Sequence, residues 1–236
     1  MLPDLTFDQK QDLVAYLYNF VTEHKRERIR HVLANRTRHL TVVLENIYQP
    51  HNASAVLRSC DCFGIQDVHI IEDEHEYRIN PDVALGASKW LTLHRHGRGH
   101  QHNTRTCLQT LRANGYRIAA TTLRPDSIPL PEFQIDQKTA LCFGTEELGL
   151  SQEAHDLADV FVQIPMVGFT QSFNISVSAA LTLYDLTNKL HTRPHHEWAL
   201  SAQEEIDILT QWLIRTATHG RVLVRHYYRQ QNWPIP

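Results

Sequence analysis

Six short runs along the chain read as strands: Leu40–Leu44, Asp67–Ile71, Trp90–His94, Arg117–Thr121, Thr139–Phe143 and Val160–Ile164. In the last of them Val160, Val162 and Ile164 alternate with Phe161 and Gln163, the period of two that suits a buried strand. Helical spacing of apolar positions fills most of the intervals, as in Thr104–Asn114 and Gln152–Leu157. Two helices, Phe7–Phe20 and Thr22–Asn35, precede the first strand, and Ser172–Leu190 and Ser201–Tyr228 close the chain as helices. This alternation predicts an α/β fold, a mainly parallel sheet with helices on both faces. Residues 1–39 then form a helical, basic N-terminal extension, residues 40–190 the α/β domain and residues 191–236 a helical C-terminal extension. His191–Trp198, which contains Pro194, reads as the linker into that last part, and the chain shows neither an internal repeat nor a low-complexity tract.

Three segments join strand ends to helix starts, the places where α/β proteins put their chemistry. The first is Pro50–Gly64, with apolar positions Ala53, Val56, Leu57, Cys60 and Phe63 at helical spacing and Ser54, Arg58 and Asp61 on the other face. The second, Gly144-Thr145-Glu146-Glu147-Leu148-Gly149-Leu150-Ser151, follows the apolar run 140–143. The third runs from Ile164 to Ala180. Pro165 ends the strand because it has no N–H to donate, and Gly168 is expected to permit a turn that a side chain would forbid. Ser172 is placed to cap a helix whose apolar positions are Phe173, Val177, Ala180, Leu181 and Tyr184.

In this order the three segments resemble the three motifs of the SPOUT superfamily of RNA methyltransferases, in its TrmH branch. The motifs run N-x-x-A-x-x-R, then G-x-E-x-x-G-L-S, then I-P-M-x-G followed by S-x-N-x-S, with Phe173, Ile175 and Ser178 as mild departures. The resemblance spans about residues 40–190. It implies a SPOUT-type, trefoil-knotted domain in which the C-terminal part threads a loop. It also implies a homodimer whose interface includes Ser172–Leu190, and methyl transfer from S-adenosyl-L-methionine to a ribose 2′-hydroxyl. For the cofactor it points to loops after Thr121, at Gly144 and from Ile164 onward, and so to Thr121, Gly144, Ile164, Met166 and Phe173. No G-x-G-x-x-G fingerprint occurs, which disfavours a dinucleotide enzyme.

By the same resemblance Arg58 is the catalytic residue. Arginine holds its proton far above the physiological range, which makes it a poor base, and bringing it near neutrality costs on the order of 7 kcal/mol. Two roles are open: activating the ribose hydroxyl, or staying charged to clamp a phosphate and stabilise the developing alkoxide. Read alone, Arg58 would be a helix-surface arginine beside Asp61. Asn52, Glu146, Ser172 and Asn174 complete the implied site, although chemistry alone would make each a helix cap or a first-turn acid.

A net charge of −3 hides an uneven distribution. Lys25, Arg26, Arg28, Arg30, Arg36 and Arg38 crowd one helical stretch. Arg215, Arg221, Arg225 and Arg229 lie in residues 211–236, which carry no acid, whereas Glu72–Glu76 is acidic. Arg26, Arg28, Arg30 and Arg225 are the candidate RNA contacts, against a bland reading as solvated helix faces. The four cysteines, Cys60, Cys62, Cys107 and Cys142, form no C-x-x-C and read as reduced thiols of a cytoplasmic protein. Met1–Lys10 lacks a signal-peptide pattern, and no apolar run is long enough for a membrane span. Sixteen histidines raise the question of a metal, with His94, His96, His100 and His102 in one group and His191, His195 and His196 in another. No spacing matches a zinc motif, so no metal is expected.

The leading reading is therefore a tRNA ribose 2′-O-methyltransferase acting on a D-loop guanosine. The short basic extensions and Gly86-Ala87-Ser88-Lys89-Trp90 resemble the tRNA enzymes. A ribosomal RNA methyltransferase of the same superfamily is the alternative, disfavoured because the residues before Leu40 are too few for the larger N-terminal domain usual there. A non-catalytic RNA-binding protein on this scaffold is a third reading, and cofactor binding separates it from the others.

Overall fold

The structure is a computed structural model that describes residues 5–73, 80–97 and 103–233; Glu74, His75 and Glu76 of the acidic stretch, His100 and His102 lie outside the described residues. In chain order the elements are α1 (Phe7–Tyr18), α2 (Glu23–Leu33), β1 (Leu40–Glu45), α3 (Pro50–Cys62), β2 (Asp67–Ile71), α4 (Pro81–Ala84), β3 (Thr92–His96), α5 (Asn103–Ala113), β4 (Arg117–Thr121), β5 (Ile128–Pro129), β6 (Thr139–Phe143), α6 (Gln152–Asp156), β7 (Val160–Gln163), α7 (Ile175–His191), α8 (Ala202–Thr216) and α9 (Gly220–Gln230). They divide into two compact units, residues 37–198 and residues 1–36 together with 199–236.

The larger unit is built on one sheet of order β3-β2-β1-β6-β4-β7-β5, and every neighbouring pair is parallel. Strand side chains alternate between two cores, as the pleat requires. Leu40, Val42, Leu44, Leu141 and Phe143 face one core with Ala53, Val56 and Leu57 of α3 and Ala179, Leu183 and Leu186 of α7. Val43, Ala140 and Cys142 face the other with Cys107, Leu108 and Leu111 of α5 and Ala154 of α6. Each such Leu, Ile or Val contributes about 1.5–3 kcal/mol through burial. The layers place the C-terminal ends of β1, β4, β6 and β7, and the loops that leave them, on one edge.

In the smaller unit Thr6 and Gln9 form a capping box on α1, and Ser201 and Glu204 form another on α8. Lys10 pairs with Asp207 at 2.6 Å, and the buried Arg36 lays its guanidinium 5.2 Å from the Trp212 ring. The two terminal stretches, separate in sequence, thus share one core.

Several expectations shift. The third strand begins at Thr92, not at Trp90, because Trp90 closes a 3-10 turn by donating its N–H to Ala87. Gln66 then fixes the strand entry, its Nε2 donating to the Trp90 carbonyl (3.1 Å) and its own carbonyl accepting from Thr92 N (2.9 Å). The two-residue β5 adds a strand beyond the six expected. The closing helix α7 starts at Ile175, and its cap is Asn174, whose Oδ1 accepts from Ser176 N at 2.9 Å; Ser172 is not the cap. Phe173, Val177, Leu181 and Tyr184 are exposed, whereas Ile175, Ala179, Leu183 and Leu186 form the buried face. Gly168 has no left-handed φ, and an added Cβ would come no nearer than 4.0 Å to Thr170 N, so the backbone does not demand glycine there. Of the basic stretch, Arg36 is buried and Arg38 pairs with Asp67 at 2.7 Å.

Candidate active site

The loop between β6 and α6 is a tight closure. Thr145 and Gly149 exchange backbone hydrogen bonds of 2.9 and 3.0 Å, and Leu148 N donates to Thr145 Oγ1 at 3.1 Å. A Cβ on Gly144 would lie 2.1 Å from the Gly149 carbonyl, and Gly149 itself has φ +70°. Both glycines are therefore imposed, one by contact and the other by handedness. The loop is tied to β1 by Glu45, a buried carboxylate that accepts from Ser151 N (2.8 Å), Ser151 Oγ (2.7 Å) and Thr104 Oγ1 (2.6 Å).

That closure delivers Glu146 to the start of α7. Glu146 Oε1 accepts from Asn52 Nδ2 at 3.0 Å, from Ile175 N at 3.4 Å and from Asn174 Nδ2; Asn174 Nδ2 also lies 3.2 Å from Asn52 Oδ1. Gln49 Oε1 takes a further hydrogen bond from Asn52 Nδ2 at 2.5 Å. One residue from each of the three sequence motifs thus meets in a single network. The carboxylate sits where the partial positive charge of a helix N-terminus favours it. That helix is α7, not the α6 that follows Glu146 in sequence.

Beside the network, at the ends of β4, β6 and β7, lies a cavity of about 350 Å³. All five residues expected to hold the cofactor, Thr121, Gly144, Ile164, Met166 and Phe173, line it, and so does Ser172. Thr121 Oγ1 donates to the Cys142 carbonyl at 2.8 Å, so its hydroxyl hydrogen is committed to the sheet. The volume falls in the range of small-molecule pockets. The lining mixes apolar Ile164, Met166 and Phe173 with Thr122, Gln171 and Ser172, a donor set that fits a nucleoside carrying a charged amino-acid tail. Sequence reasoning missed Glu45, Gln49 and His155. His155 lines the cavity, with Nε2 3.1 Å from Thr122 Oγ1 and Nδ1 2.9 Å from the Ser151 carbonyl. Glu45 alone left a signal, an acid at the end of a largely apolar strand.

Arg58 is not brought to this cavity within its own chain. It is exposed on α3, the helix that supplies Asn52, and is not among the residues that line the cavity. The four candidate RNA contacts differ among themselves. Arg26 is committed to its own unit: Nε donates to the Val21 carbonyl (3.0 Å), NH2 donates to the Tyr18 carbonyl, and NH1 pairs with Glu23 (3.1 Å). Arg30 reaches Glu23 at 3.7 Å and remains exposed; Arg28 and Arg225 are exposed, and Arg225 shares a face of α9 with the exposed Arg221 and Arg229. Among the described residues one group could hold a metal ion, His69, His96 and Cys107, whose ligand atoms lie within 4.8 Å of one another; of these only His96 belongs to the histidine groups weighed for a metal from the sequence. No helix among the described residues is long and apolar enough to cross a membrane.

Comparison with known proteins places this geometry. A family model described as SpoU rRNA Methylase matches residues 39–184. The tRNA (guanosine(18)-2'-O)-methyltransferase of Borreliella burgdorferi is 45% identical over 177 residues, which cover 75% of this chain and 79% of that protein. The enzyme of the same name from Thermus thermophilus is 36% identical over 197 residues, covering 81% of this chain and 97% of its own. Among solved structures, the A. aeolicus TrmH/SpoU tRNA modifying enzyme superposes with a TM-score of 0.73 at 29% identity, over 82% of this chain and 96% of that one.

Proposed function

The chain belongs to the SpoU rRNA methylase family, and we propose that it methylates the ribose 2′-hydroxyl of a D-loop guanosine in tRNA, with S-adenosyl-L-methionine as methyl donor. The observation that carries this reading is the meeting of Asn52, Glu146 and Asn174 beside a cavity lined by the third motif. The guanosine specificity rests on the relatives that share the motifs and most of this chain's length.

When bound, S-adenosylmethionine supplies an electrophilic methyl on a sulfonium, a leaving group that needs no protonation. The chain's residues do the rest. Ile164, Met166 and Phe173 would hold the cofactor through their apolar surface, and Gly144 keeps the tight 145–149 closure that forms one wall of the cavity. Ser172 offers a hydroxyl to the methionine carboxylate or to an RNA phosphate. Glu146 orients Asn52 and Asn174, so their amides are fixed before RNA arrives. Arg58 is exposed; its guanidinium acts as a planar fork on the phosphate beside the target ribose and stabilises the oxygen as the hydroxyl proton passes to water. The exposed arginines Arg28, Arg30 and Arg225 add sequence-independent phosphate contacts.

The same reading includes a homodimer in the cytoplasm. Val177, Leu181 and Tyr184 form an exposed apolar stripe on α7, which a twofold partner would cover. Cys60, Cys62, Cys107 and Cys142 are free thiols. The trefoil knot belongs to this reading too, since the loops that would form it, 144–149 and 164–173, line one cavity. The deciding experiment is methylation of total RNA by the purified chain with labelled cofactor, followed by mapping of the labelled nucleotide. A 2′-O-methylguanosine in the tRNA D-loop is expected. Label confined to ribosomal RNA would replace the substrate, and absence of both label and cofactor binding would return the chain to a non-catalytic RNA-binding protein. Light scattering at micromolar concentration tests the dimer, and a mass of 27.3 kDa, that of a single chain, would refute it.

A further inference from the structure

We propose that His69, His96 and Cys107 form a transition-metal site, suited to zinc, that ties β2 and β3 to α5 on the opposite side of β1 from the methyltransfer cavity. The three ligand atoms lie within 4.8 Å of one another. His69 Nδ1 and His96 Nε2 are 3.3 Å apart, which is the edge of a tetrahedron with metal–nitrogen bonds of about 2.0–2.1 Å, roughly 3.3 Å. The parallel register sets this pair. His69 stands opposite His94 and Ile71 opposite His96, so His69 and His96 are diagonal neighbours on one sheet face. Cys107 faces them from α5 and is fully buried against Val43 and Ile71.

The surroundings resemble a prepared site rather than a chance meeting. His94 stacks on His69 at 4.4 Å with planes 12° apart, and its Nε2 is anchored 3.2 Å from Asp67 Oδ1. A neutral imidazole offers a ring-nitrogen lone pair at both His69 Nδ1 and His96 Nε2. A metal binding the thiol sulfur displaces its proton, one H⁺ released for each M–S bond formed; the imidazoles only choose tautomers with their remaining N–H groups directed away. Two imidazoles and a thiolate select zinc and its neighbours over magnesium or calcium. Three protein ligands leave a fourth position for water on the half-exposed His96 side. The alternative is a neutral histidine pair sharing one hydrogen bond beside an inert thiol.

The site is independent of the methyltransferase reading, and its test does not use activity. Untagged protein is stripped with chelator, then titrated with Zn²⁺ and with Co²⁺. One ion per chain is expected, with release of one proton, a rise in unfolding temperature and a thiolate-to-cobalt charge-transfer band. Cys107→Ser should abolish that band, and Cys107→Ser and His96→Gln should each weaken Zn²⁺ binding at least about a hundredfold, beyond the 10–100-fold typical of outer-shell losses. His196→Gln should change nothing. Because Cys107→Ser alters a packed core, the half-exposed His96→Gln keeps the test open if the serine variant fails to fold. No saturable binding, binding without a charge-transfer band, or binding unaffected by His96→Gln would overturn the proposal.

Discussion

At the ends of β4, β6 and β7, chemistry is assembled from loops, and each loop brings several residues: Gly144 to Gly149, then Ile164, Met166 and Gln171 to Phe173, with Asn174 in the adjoining network. Along β2 and β3 it is assembled from regular elements, and each brings one side chain: His69, His96 and Cys107. In the first region the backbone itself is shaped for the task, by two glycines and a carboxylate at a helix N-terminus. In the second the backbone is ordinary parallel sheet, and only register brings the ligands together. The first therefore leaves a motif in the sequence and the second leaves none. A motif records a loop that must close in one way, whereas a register contact records two strands that any apolar sequence could have formed.

The most severe test of the loop region is Arg58, which belongs to its motif but stands outside its cavity. Arg58→Ala is expected to reduce methyl transfer at least about a hundredfold with cofactor affinity nearly unchanged. Arg58→Lys should recover little, since a point charge does not reproduce the fork. Near-normal turnover in the alanine variant would reduce Arg58 to a surface residue and leave the hydrogen-bonded network alone at the centre.

A pair of glycine variants separates imposed backbone from motif habit. Gly144→Ala places a Cβ 2.1 Å from Gly149, so the loop must open. It should cost about 1–3 kcal/mol of stability and most of the cofactor affinity, read by calorimetry. Gly168→Ala meets nothing closer than 4.0 Å and should fall within about ±0.5 kcal/mol. Equal effects would mean that the third motif's glycine is held by contacts with RNA or cofactor. Glu146→Gln is milder. It keeps the shape but presents an N–H₂ to two amide donors, and turnover should fall about tenfold or more with a smaller change in cofactor binding. Unchanged turnover would show that Asn52 and Asn174 need no orienting partner.

These contrasts mark what could be read in advance. The strands 67–71, 117–121 and 139–143 were legible to the residue because β-branched and apolar runs end at polar turns. The strand β5 was not, being two residues long with a proline in it. Site residues carried by loop motifs were legible, and the five cofactor candidates line one cavity. Periodicity alone did not tell the packed face of α7 from its exposed one, because apolar residues lie on both: Ile175, Ala179, Leu183 and Leu186 on the first, Val177, Leu181 and Tyr184 on the second. The histidine–cysteine group was illegible because His69 and His96 are 27 residues apart on separate strands. Arg26 and Arg36 show the converse. Charge counted along a helix marked them with Arg28 and Arg30, yet one serves carbonyls and the other an indole face.

That last point yields a prediction for RNA. If Arg28, Arg30 and Arg225 hold phosphates, replacing all three with alanine should lower the slope of log affinity against log salt by about 0.7–0.9 per lost contact. The methylated position should stay the same. Arg26→Ala should instead lower the unfolding temperature without changing the slope beyond its own charge. Unchanged affinity of the triple variant at low and high salt would confine RNA binding to the motif loops.

The smallest expected effect asks whether histidine behaviour in this sheet is special to the β2–β3 edge. His39, just before β1, is also buried, and burial with the nearby Arg193 lowers its pKa from the ordinary 6.5. Its backbone is fixed by Thr37 Oγ1, which accepts from His39 N at 2.9 Å, and by Thr139, whose N–H donates to the His39 carbonyl at 2.8 Å. The native state resists protonation that the unfolded chain accepts. The unfolded chain therefore binds more protons once the pH falls below about 6.5, and stability is lost progressively from there towards the lower native pKa. Above that window the contribution is complete and constant. His39→Gln removes this term, so the parent should lose more stability than the variant between neutral pH and about pH 5, measured by urea unfolding. Parallel losses would mean that His39 is solvated in both states and that buried, proton-excluding histidines are confined to the edge where the metal site is proposed.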